Sequence, residues 1–513
     1  MNIANTLVNL AAMHPQRLAL IEGANKVTSY LELNNQVVAV ASHLRKAGIA
    51  KGDVVLLYVG MSSQLYALLL GINRIGAVVL FIDPTYGFKE LHHCILLTKP
   101  KAIVVDDRLH FLARLAAPLL AIRTIFFQNE FVRATSKTVL EPVVEVEPNA
   151  PALITFTSGS SALPKGIVRT HGFLETQCQI LAEDLSIGRC RSEITTLPIF
   201  VLANLACGVT SILPANNLRG RSKLKQRAQR AALLEQLLEH MPERILAAPA
   251  FLLQLAHYLK LQNIKCYFVK EILSGGGPIF PQLTALLREV FPEAKLLTVY
   301  GSTEAEPIAH LDVTNCALDS IAKIAIGSGL PQGKVSPHVD LAIISGPVLE
   351  QYIKSEFSLK RAGANEIGEI LVSGKHVVEG YISAIGDREN KIKVGNRIFH
   401  RTGDAGYLDE DGNLYLVGRI AQKVEVGGRS VYPLAVEASA MASGLVDSCA
   451  FLEVDKKKIL VVKLIAGAPK NSEALLLKQL VFAAIDKIVI RANLPMDKRH
   501  SSKVLYNKLK SSL

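Results

Sequence analysis

The sequence predicts an α/β protein, in which a large multi-lobed N-terminal domain with mostly parallel, helix-covered sheets and a β-rich lobe precedes a small α+β C-terminal domain. Its 513 residues exceed what one ordinary hydrophobic core contains, so two or more domains are expected. Strand-like apolar runs alternate with helical stretches, which is typical of parallel sheets covered by helices. Half of the residues are hydrophobic and the mean hydropathy is +0.28, which excludes a disordered chain.

The N-terminal elements follow this alternation in chain order. Residues 54–59 and 102–105 are predicted strands, because aliphatic and β-branched residues form short continuous runs there. Residues 61–76, which lie between these two runs, are predicted to be helical. Residues 152–155 form a further apolar run that predicts a short buried strand.

The C-terminal part of the chain changes in character. Residues 323–419 carry short strands separated by many glycines, which predicts a β-rich lobe. The predicted domain boundary divides residues 1–419 from a C-terminal cap of residues 420–513. A turn is predicted at Gly427 and Gly428. The other predicted elements of the cap are a helix at residues 432–443, a strand at residues 458–462 and a helix at residues 473–489.

The chain is basic, with a formal net charge of +12 and a pI of about 9.2. This balance suits an anionic ligand, an acidic membrane surface or a nucleic acid. Since the charge is spread along the chain, we expect no nucleic-acid partner. One local excess runs from Arg219 to Arg230 without an acidic residue, and we interpret it as the solvated face of a helix. A peripheral membrane contact stays open.

Residues 194–217 carry no charge, and this stretch is long enough to raise the question of a membrane span. Pro198, Asn204, Gly208 and Pro214 interrupt it, so we predict a buried strand, loop and helix instead. The N-terminus lacks a charged segment followed by an apolar core, and no secretory signal is predicted.

The seven cysteines are scattered, and no C-x-x-C spacing occurs. Neither a disulfide framework nor a zinc site is therefore predicted, and we expect a reducing, cytoplasmic compartment. His92, His93 and Cys94 are adjacent, but no second cluster has metal-ligand spacing, so a helix-surface or core role is expected.

The most informative segment is a Ser/Gly-rich loop at residues 156–166, FTSGSSALPKG, which follows the predicted strand at residues 152–155. Small hydroxylated residues and glycines after a strand expose backbone N–H groups, and Lys165 adds a positive charge. Such a loop can bind phosphate oxygens. It is not a Walker loop, because the G-x-x-x-x-G-K-[ST] spacing is absent. A flexible Ser/Gly turn would have the same composition.

Three later segments follow this loop: residues 299–304 (VYGSTE), residues 400–404 (HRTGD) running on to Arg419, and Lys503 near the C-terminus. Together with the loop, their order and spacing resemble the ATP-dependent adenylating superfamily, which includes acyl-CoA synthetases, peptide-synthetase adenylation domains and firefly-type luciferases. The resemblance covers nearly the whole chain. It implies a three-lobed N-terminal domain, a mobile C-terminal domain and a ligand cleft between them.

The resemblance implies that a carboxylate attacks the α-phosphorus of ATP, giving an acyl-adenylate and pyrophosphate with Mg²⁺ as cofactor. In this scheme Tyr300 stacks on adenine, Asp404 accepts hydrogen bonds from the ribose hydroxyls, and Arg419 adds a positive charge nearby. The implied ATP-binding residues are Thr157, Ser158, Gly159, Ser160, Ser161, Lys165, Gly276, Gly277, Pro278, Tyr300, Gly301, Ser302, Asp404 and Arg419. The implied catalytic residues are Lys503, Thr303 and Glu304, and the implied metal-binding residues are Glu304 and Thr157.

Lys503 is the implied adenylation lysine, because its position matches that of the family and a flexible ammonium can reach the developing charge. Lys498 and Lys508 are rival tail lysines. The chain departs from the usual family pattern at Ala162, Ala421 and Ser502, where the family usually has glycine, a charged hinge residue and glycine.

The predicted acyl pocket includes Phe200, Val201 and Asn204, in the region that shapes this pocket in relatives. Its apolar character favours an aliphatic, fatty acid. Coenzyme A is the expected co-substrate of the second step, while transfer to a carrier-protein thiol stays open. The P-x-D-x-R-H-x-x-K frame of residues 495–503 resembles olefin β-lactone synthetases, in which the 3-hydroxyl of the substrate would close a ring.

A hypothesis from another class is a catalytically weak nucleotide-binding regulatory protein. Ala162 and Ala421 support it. A protein that only binds nucleotide has no need for all four of the retained residues, so we prefer the enzyme. These residues are Glu304, Asp404, Arg419 and Lys503.

Overall fold

The chain forms two units in the computed structural model. The first comprises Met1–Glu243 with Val378–Arg388, and the second comprises Arg244–Val377 with Glu389–Leu513. The structure describes residues 1–23, 26–83, 86–111, 113–114, 122, 124–133, 141–157, 163–214, 223–314, 318–346, 352–353, 361–497 and 503–513.

The first unit alternates strands and helices from its N-terminus. Its helices are α1 (Ala4–Met13), α2 (Tyr30–Lys46), α3 (Ser63–Arg74), α4 (Phe88–Thr98), α5 (Gln128–Arg133), α6 (His171–Asp184), α7 (Pro198–Cys207) and α8 (Lys223–His240). Its strands are β1 (Leu18–Glu22), β2 (Lys26–Ser29), β3 (Val54–Tyr58), β4 (Val78–Phe81), β5 (Ala102–Val105), β6 (Thr124–Phe127), β7 (Pro151–Thr157), β8 (Lys165–Thr170), β9 (Ser192–Thr195) and β10 (Thr210–Leu213).

Six strands of the first unit form a sheet in the order β6-β5-β3-β4-β7-β8. All neighbours in it are parallel except β7 and β8, which are antiparallel. The central strands are continuous Val, Ile and Leu runs, because a parallel sheet is buried on both faces. The predicted mostly parallel α/β architecture is confirmed here, and the predicted helix at residues 61–76 is α3.

The uncharged stretch at residues 194–217 contains the end of β9, then α7 and β10. Pro198 is the first residue of α7, where a missing N–H costs nothing, and the helix ends at Gly208. Strand β10 is parallel to both β9 and β1, and β1 pairs antiparallel with β2. Among the residues that the structure describes, no helix is long and apolar enough to cross a membrane.

The second unit contains most of the strands that follow residue 243. Its strands are β11 (Arg244–Ala247), β12 (Glu271–Gly275), β13 (Lys295–Ser302), β14 (Ala305–Asp312), β15 (Leu330–Val335), β16 (Asp340–Ile344), β17 (Tyr352–Ile353), β18 (Gly368–Ser373), β19 (Lys391–Val394), β20 (Arg397–Leu408), β21 (Asn413–Arg419), β22 (Val424–Val426), β23 (Arg429–Val431), β24 (Val446–Val454), β25 (Lys457–Leu464) and β26 (Lys487–Ile490).

Its helices are α9 (Pro249–Leu261), α10 (Pro281–Val290), α11 (Leu318–Ala325), α13 (Pro433–Ala442), α14 (Ser472–Gln479) and α15 (Tyr506–Lys510). The short helix α12 (Asp387–Asn390) lies where the chain passes from the first unit to the second.

The main sheet of the second unit has two parts. Strands β11, β12 and β13 are parallel neighbours. From β13 onward the order β13-β14-β15-β21-β20-β18-β16 is antiparallel throughout, with β19 beside β20. The antiparallel part contains the glycine-rich strands that the sequence predicts as a β-rich lobe.

The C-terminal α+β part is built on a three-stranded sheet in the order β24-β25-β26. The predicted turn at Gly427 and Gly428 joins β22 and β23, and both glycines have positive φ, as a two-residue hairpin requires. The predicted helix at residues 432–443 is α13, and the strand predicted at residues 458–462 lies within β25. The predicted boundary between residues 419 and 420 falls inside the second unit and stays a prediction.

The helix predicted at residues 473–489 is wrong in its second half. Helix α14 ends at Gln479, and the chain re-enters a strand at β26. The reason lies in Ile488, Val489 and Ile490, whose β-branched side chains favour a strand that pairs in parallel with β25.

Candidate active site

The predicted phosphate loop joins β7 and β8 of the first unit. Thr157 closes β7, and Lys165, the first residue of β8, lies opposite it in the antiparallel register. Thr157 is buried and Lys165 half-buried. Ser158, Gly159, Ser160 and Ser161 lie outside the described residues, as does Ala162. The structure therefore describes the two ends of the loop.

Lys165 packs against a segment that is distant in sequence. Its Nζ lies 5.5 Å from the ring centroid of Tyr381, within the range of a cation–π interaction. An added Cβ at Gly386 would lie 2.7 Å from Cδ and Cε of Lys165, so the lysine stem runs over bare backbone. Asp387 accepts a hydrogen bond from the Tyr381 N–H at 2.8 Å, and this bond fixes the conformation of residues 381–387. The sequence pattern gave no indication of these contacts.

Three predicted nucleotide-binding residues meet in the second unit. The Tyr300 hydroxyl donates to Oδ2 of Asp404 at 2.8 Å. Asp404 and Arg419 are opposite each other in the β20/β21 register, and Arg419 Nε lies 3.0 Å from Asp404 Oδ1. Arg419 also donates to the Thr402 carbonyl at 2.9 Å. Both oxygens of this carboxylate thus have a positive or hydrogen-bonding neighbour.

An irregularity in β20 positions Asp404. Glu369 of β18 pairs with Ala405, while Leu371 pairs with Arg401, so three residues of β20 lie opposite one residue of β18. Gly403 has a φ of +70°, which glycine adopts without strain. Such a bulge redirects a side chain out of the sheet.

Hydrogen bonds from side chains fix this bulge. The Thr402 hydroxyl donates to the Ile370 carbonyl at 2.9 Å and accepts from the Asp404 N–H at 3.0 Å. Just before it, Arg401 donates from Nε and Nη2 to the Glu369 carboxylate, with Nη2 at 2.6 Å from Oε2. This pair is mostly buried, so it holds β20 firmly against β18. Neither Glu369 nor Arg401 was predicted as a site residue, because no local sequence pattern indicates that they pair.

The phenol of Tyr300 remains protonated. Burial first, and then the neighbouring Asp404 charge and the hydrogen bond to it, raise its pKa well above the ordinary value. Tyr300 therefore acts as a hydrogen-bond donor to Asp404. This role adds to the adenine stacking predicted for its ring.

Thr303 and Glu304 form the turn between β13 and β14. The register pairs Ser302 with Ala305, and the Ser302 hydroxyl accepts from the Glu304 N–H at 3.2 Å. Gly301, just before, lies at the irregularity in this register. Residues 301–304 are half-buried, so their polar groups lie partly at the surface.

The segment from Gly276 to Pro278 follows β12. Gly276 is exposed with a φ of +80°, a conformation that glycine adopts readily, and no described atom lies within 4 Å of an added Cβ. Gly277 and Pro278 are half-buried. The predicted role of this segment beside adenine stays a prediction.

Lys503 is exposed and lies next to an isolated antiparallel bridge between Met496 and Val504. The described residues on the two sides of this bridge, 495–497 and 503–505, are called the C-terminal hairpin below. Its backbone is paired with Asp497, since the Asp497 N–H donates to the Lys503 carbonyl at 2.8 Å and the Lys503 N–H donates to Asp497 Oδ1 at 2.9 Å. Asp497 is the aspartate of the P-x-D-x-R-H-x-x-K frame, and it contacts the lysine of the same frame. Residues 498–502 lie outside the described residues.

The predicted acyl-pocket residues lie on α7 in the interior of the first unit. Phe200, Val201 and Asn204 are all buried. Asn204 Nδ2 donates to Glu193 Oε1 at 2.8 Å and to Ser211 Oγ at 3.0 Å, which ties α7 to β9 and β10. Contact of these three residues with an acyl chain stays a prediction.

A metal ion held by protein side chains alone would need a cluster of His, Cys, Asp or Glu residues. The described part of the chain contains no group of three or more such residues that could hold a metal ion by themselves. His92, His93 and Cys94 lie on α4, where Cys94 is buried in the core. The predicted role of Glu304 as a magnesium ligand stays a prediction, since Mg²⁺ usually takes one or two carboxylates together with substrate phosphates.

Known proteins resemble this chain at three levels: a family model, a curated relative and solved structures. A family model described as AMP-binding enzyme matches residues 8–382. An olefin beta-lactone synthetase of Stenotrophomonas maltophilia is 26% identical, over 99% of this chain and 97% of that protein. The amide bond synthetase McbA from Marinactinospora thermotolerans is 21% identical, with a TM-score of 0.82 over 99% of both chains.

A further solved structure shares the fold over the same extent. It is the O-succinylbenzoate coenzyme A synthetase MenE from Bacillus subtilis, in complex with ATP and magnesium ion. It is 21% identical to this chain, with a TM-score of 0.78 over 99% of both chains.

Proposed function

The chain belongs to the AMP-binding enzyme family, and on that premise we propose that it uses ATP to activate a carboxylic acid and passes the acyl group to coenzyme A. The substrate carboxylate attacks the α-phosphorus, the bond to the β-phosphate oxygen breaks, and pyrophosphate leaves. The thiol of coenzyme A then attacks the acyl carbon, and AMP leaves with the electron pair of the anhydride bond.

The observation that carries this proposal is the meeting of Tyr300, Asp404 and Arg419. An ionised carboxylate held between a phenol and a guanidinium is a preorganised acceptor for vicinal hydroxyls. The ring of Tyr300 would stack on the base. These features support recognition of a nucleoside rather than of a phosphate alone.

The charged residues would neutralise the two anionic reactants. Lys165 would hold phosphate oxygens, and the ammonium of Lys503 would stabilise the charge that develops during displacement. Glu304 would hold Mg²⁺, which supplies positive charge to the triphosphate when bound. Because the acid provides its own nucleophile, the protein has no need of a Ser-His-Asp constellation.

An aliphatic acid is the substrate that the sequence of α7 supports. Its helix Pro198–Cys207 contains no charged residue, and this favours an apolar acyl chain. We propose a fatty acid, and we retain the predicted cytoplasmic reaction as part of the proposal.

A second candidate function is β-lactone formation from a 3-hydroxy acid. The P-x-D-x-R-H-x-x-K frame of residues 495–503 and the similarity to an olefin beta-lactone synthetase along almost the whole chain favour it. Here the 3-hydroxyl oxygen of the acyl-adenylate would attack its own acyl carbon and expel AMP, so that no thiol is consumed.

Pyrophosphate release tests the first step. Protein, ATP and Mg²⁺ are mixed with fatty acids, 3-hydroxy fatty acids and aromatic acids, each with and without coenzyme A. We expect acid-dependent pyrophosphate release and, by mass spectrometry, an acyl-CoA. A lactone formed without coenzyme A would select the second candidate. Release of no pyrophosphate with any acid would support a regulatory nucleotide-binding protein instead.

A further inference from the structure

A carboxyl group on α13 is enclosed in the C-terminal part of the second unit. Glu437 is buried, and its Oε1 accepts a hydrogen bond from the Phe451 N–H at 3.0 Å. The same oxygen accepts a hydrogen bond from the hydroxyl of Tyr506. A buried carboxyl group requires such partners, because its desolvation is costly.

Tyr506 connects this carboxyl group to the segment that carries Lys503. It is the first residue of α15, three positions after Lys503. The preceding hairpin is closed by the two Asp497–Lys503 hydrogen bonds and by the Leu505 N–H, which donates to the Pro495 carbonyl at 2.8 Å. The Glu437–Tyr506 hydrogen bond therefore lies at the base of this hairpin.

Apolar packing also holds α15, but it does so without direction. Leu509 is fully buried in a cluster with Ala450, Leu452 and Val461 of β24 and β25. The stabilisation from such contacts is roughly proportional to the apolar area that is buried, and it has no preferred direction. Apolar packing alone therefore tolerates small rotations and translations of α15, which is only about one and a half turns long. A hydrogen bond requires a particular distance and angle, so Glu437 and Tyr506 add the direction that apolar packing lacks.

We propose that Glu437 and Tyr506 are positioning residues, whose hydrogen bond to each other fixes the hairpin that carries Lys503 and thereby supports the adenylation step. This inference rests on the proposed function for its effect on rate. Its structural part, the anchoring of residues 503–510, does not depend on any reaction.

The strength of the Glu437–Tyr506 anchor depends on pH, because Glu437 is a buried carboxyl group with a shifted pKa. Burial raises the pKa of Glu437 to about 7, and the hydrogen bonds from Tyr506 and Phe451 oppose that rise. The titratable groups that face it are Tyr506 and Cys449, and burial together with Glu437 raises the pKa of both well above their ordinary values. Both neighbours are therefore neutral, and Glu437 is the group that titrates.

The sign of the effect follows from the raised pKa. The anchor is closed when the Glu437–Tyr506 hydrogen bond is formed, and open when residues 503–510 have detached and Glu437 is solvated. In the open state the carboxyl group has its ordinary pKa near 4.5, so the closed state binds the proton of Glu437 more tightly. The closed form is therefore favoured at low pH, and it weakens as the pH rises from about 5 through 7. Glu437→Gln keeps the acceptor oxygen and removes this titration.

The test combines hydrogen exchange with kinetics on the full chain. Tyr506→Phe should lower the protection of the amides of residues 503–510 about tenfold, the effect of one lost hydrogen bond to a carboxyl group. It should lower kcat for pyrophosphate release by a similar factor, with KM for ATP within twofold. Glu437→Leu should act like Tyr506→Phe, and Glu437→Gln should retain both properties at pH 6.

Tyr432→Phe is the control, because it removes a phenol hydroxyl just before α13. Between pH 6 and 8, wild-type protection corrected for intrinsic exchange should fall, while that of Glu437→Gln should stay level. Protection in Tyr506→Phe equal to that in the control would overturn the anchor. A lower kcat with unchanged protection would overturn it as well. If no acid supports pyrophosphate release, the proposed function fails, and the exchange comparison still decides the anchor.

Discussion

Removal of the Tyr300 hydroxyl is the simplest test of the proposed nucleoside-binding role of the Tyr300–Asp404 pair. Tyr300→Phe keeps a ring for stacking and removes the 2.8 Å hydrogen bond to Asp404. Because a hydrogen bond to a charged group contributes about 1.5–3 kcal/mol, we expect KM for ATP to rise roughly tenfold or more, with kcat changed little. Steady-state pyrophosphate release against ATP concentration measures this.

Tyr407→Phe is the matched control, since it removes a tyrosine hydroxyl from β20, the strand of Asp404, and the partner of that hydroxyl is the Ser328 carbonyl at 3.1 Å. Its KM for ATP should equal that of the wild type. An unchanged KM in Tyr300→Phe would contradict the role given to the Tyr300–Asp404 hydrogen bond.

Tyr381 tests how Lys165 is held. Tyr381→Phe keeps the aromatic face near the Lys165 ammonium, and Tyr381→Leu removes it. A cation–π interaction contributes about 0.5–2 kcal/mol, so we expect the leucine variant to raise KM for ATP about 2- to 30-fold and the phenylalanine variant to resemble wild type. Tyr381 is buried, so thermal midpoints of both variants should accompany the kinetics.

Equal KM values in the two Tyr381 variants would show that the aromatic face has no part in holding Lys165. Gly386→Ala provides a second approach, because the added methyl group would displace the lysine stem. It should raise KM for ATP in the same direction as Tyr381→Leu.

Single-residue identities in the site were predictable, but their partners were not. Tyr300, Asp404 and Arg419 stand in recognisable motifs. The Tyr300–Asp404 bond, however, joins residues 104 positions apart, and Arg401 bonds to Glu369 32 positions away. Such pairs depend on the register of the strands, and a one-residue slip would separate them. No local pattern indicates that register.

At the scale of elements, α13 carries a buried carboxyl group that makes folding stability depend on pH. Since burial raises the Glu437 pKa to about 7 from an ordinary 4.5, its contribution to folding stability is full below about pH 4.5 and is lost as the pH rises through 7. Relative to Glu437→Gln, the wild type should lose up to ~3 kcal/mol of unfolding free energy between pH 4.5 and pH 8.

Chemical denaturation of both proteins at these two pH values, followed by a probe in the C-terminal part, measures that difference. Comparison with Glu437→Gln removes the contribution of all other titrating groups. Parallel changes in the two proteins would mean that Glu437 keeps an ordinary pKa in the folded state.

Elements with one strong local signal were predicted well, and elements with competing signals were not. Strands β3 and β5 are continuous aliphatic runs, and both appear where expected. The stretch at residues 473–489 contains a helix-forming first half and a β-branched second half, so one helix was predicted where α14 and β26 occur. The second half forms a strand because it pairs with β25, and this tertiary contact cannot be read from the local sequence.

At the scale of the whole molecule, the sequence predicted the class of architecture but not how the chain is divided. The alternation of strands and helices indicated a mostly parallel sheet, and the β6-β5-β3-β4-β7-β8 sheet confirms it. Residues 378–388 belong to the first unit although the chain on both sides belongs to the second. That segment includes Tyr381 and Gly386, which contact Lys165, so a division made by sequence position alone misses it.

The central claim is that Lys503 supplies the charge that makes acyl-adenylate formation fast. Its most direct test is single-turnover formation of acyl-adenylate by wild type, Lys503→Ala and Lys508→Ala, the last being another exposed tail lysine, on α15. We expect Lys503→Ala to be about 10²- to 10³-fold slower, as for the loss of one group that stabilises a transition state, and Lys508→Ala to match wild type. An unimpaired rate in Lys503→Ala would contradict the claim.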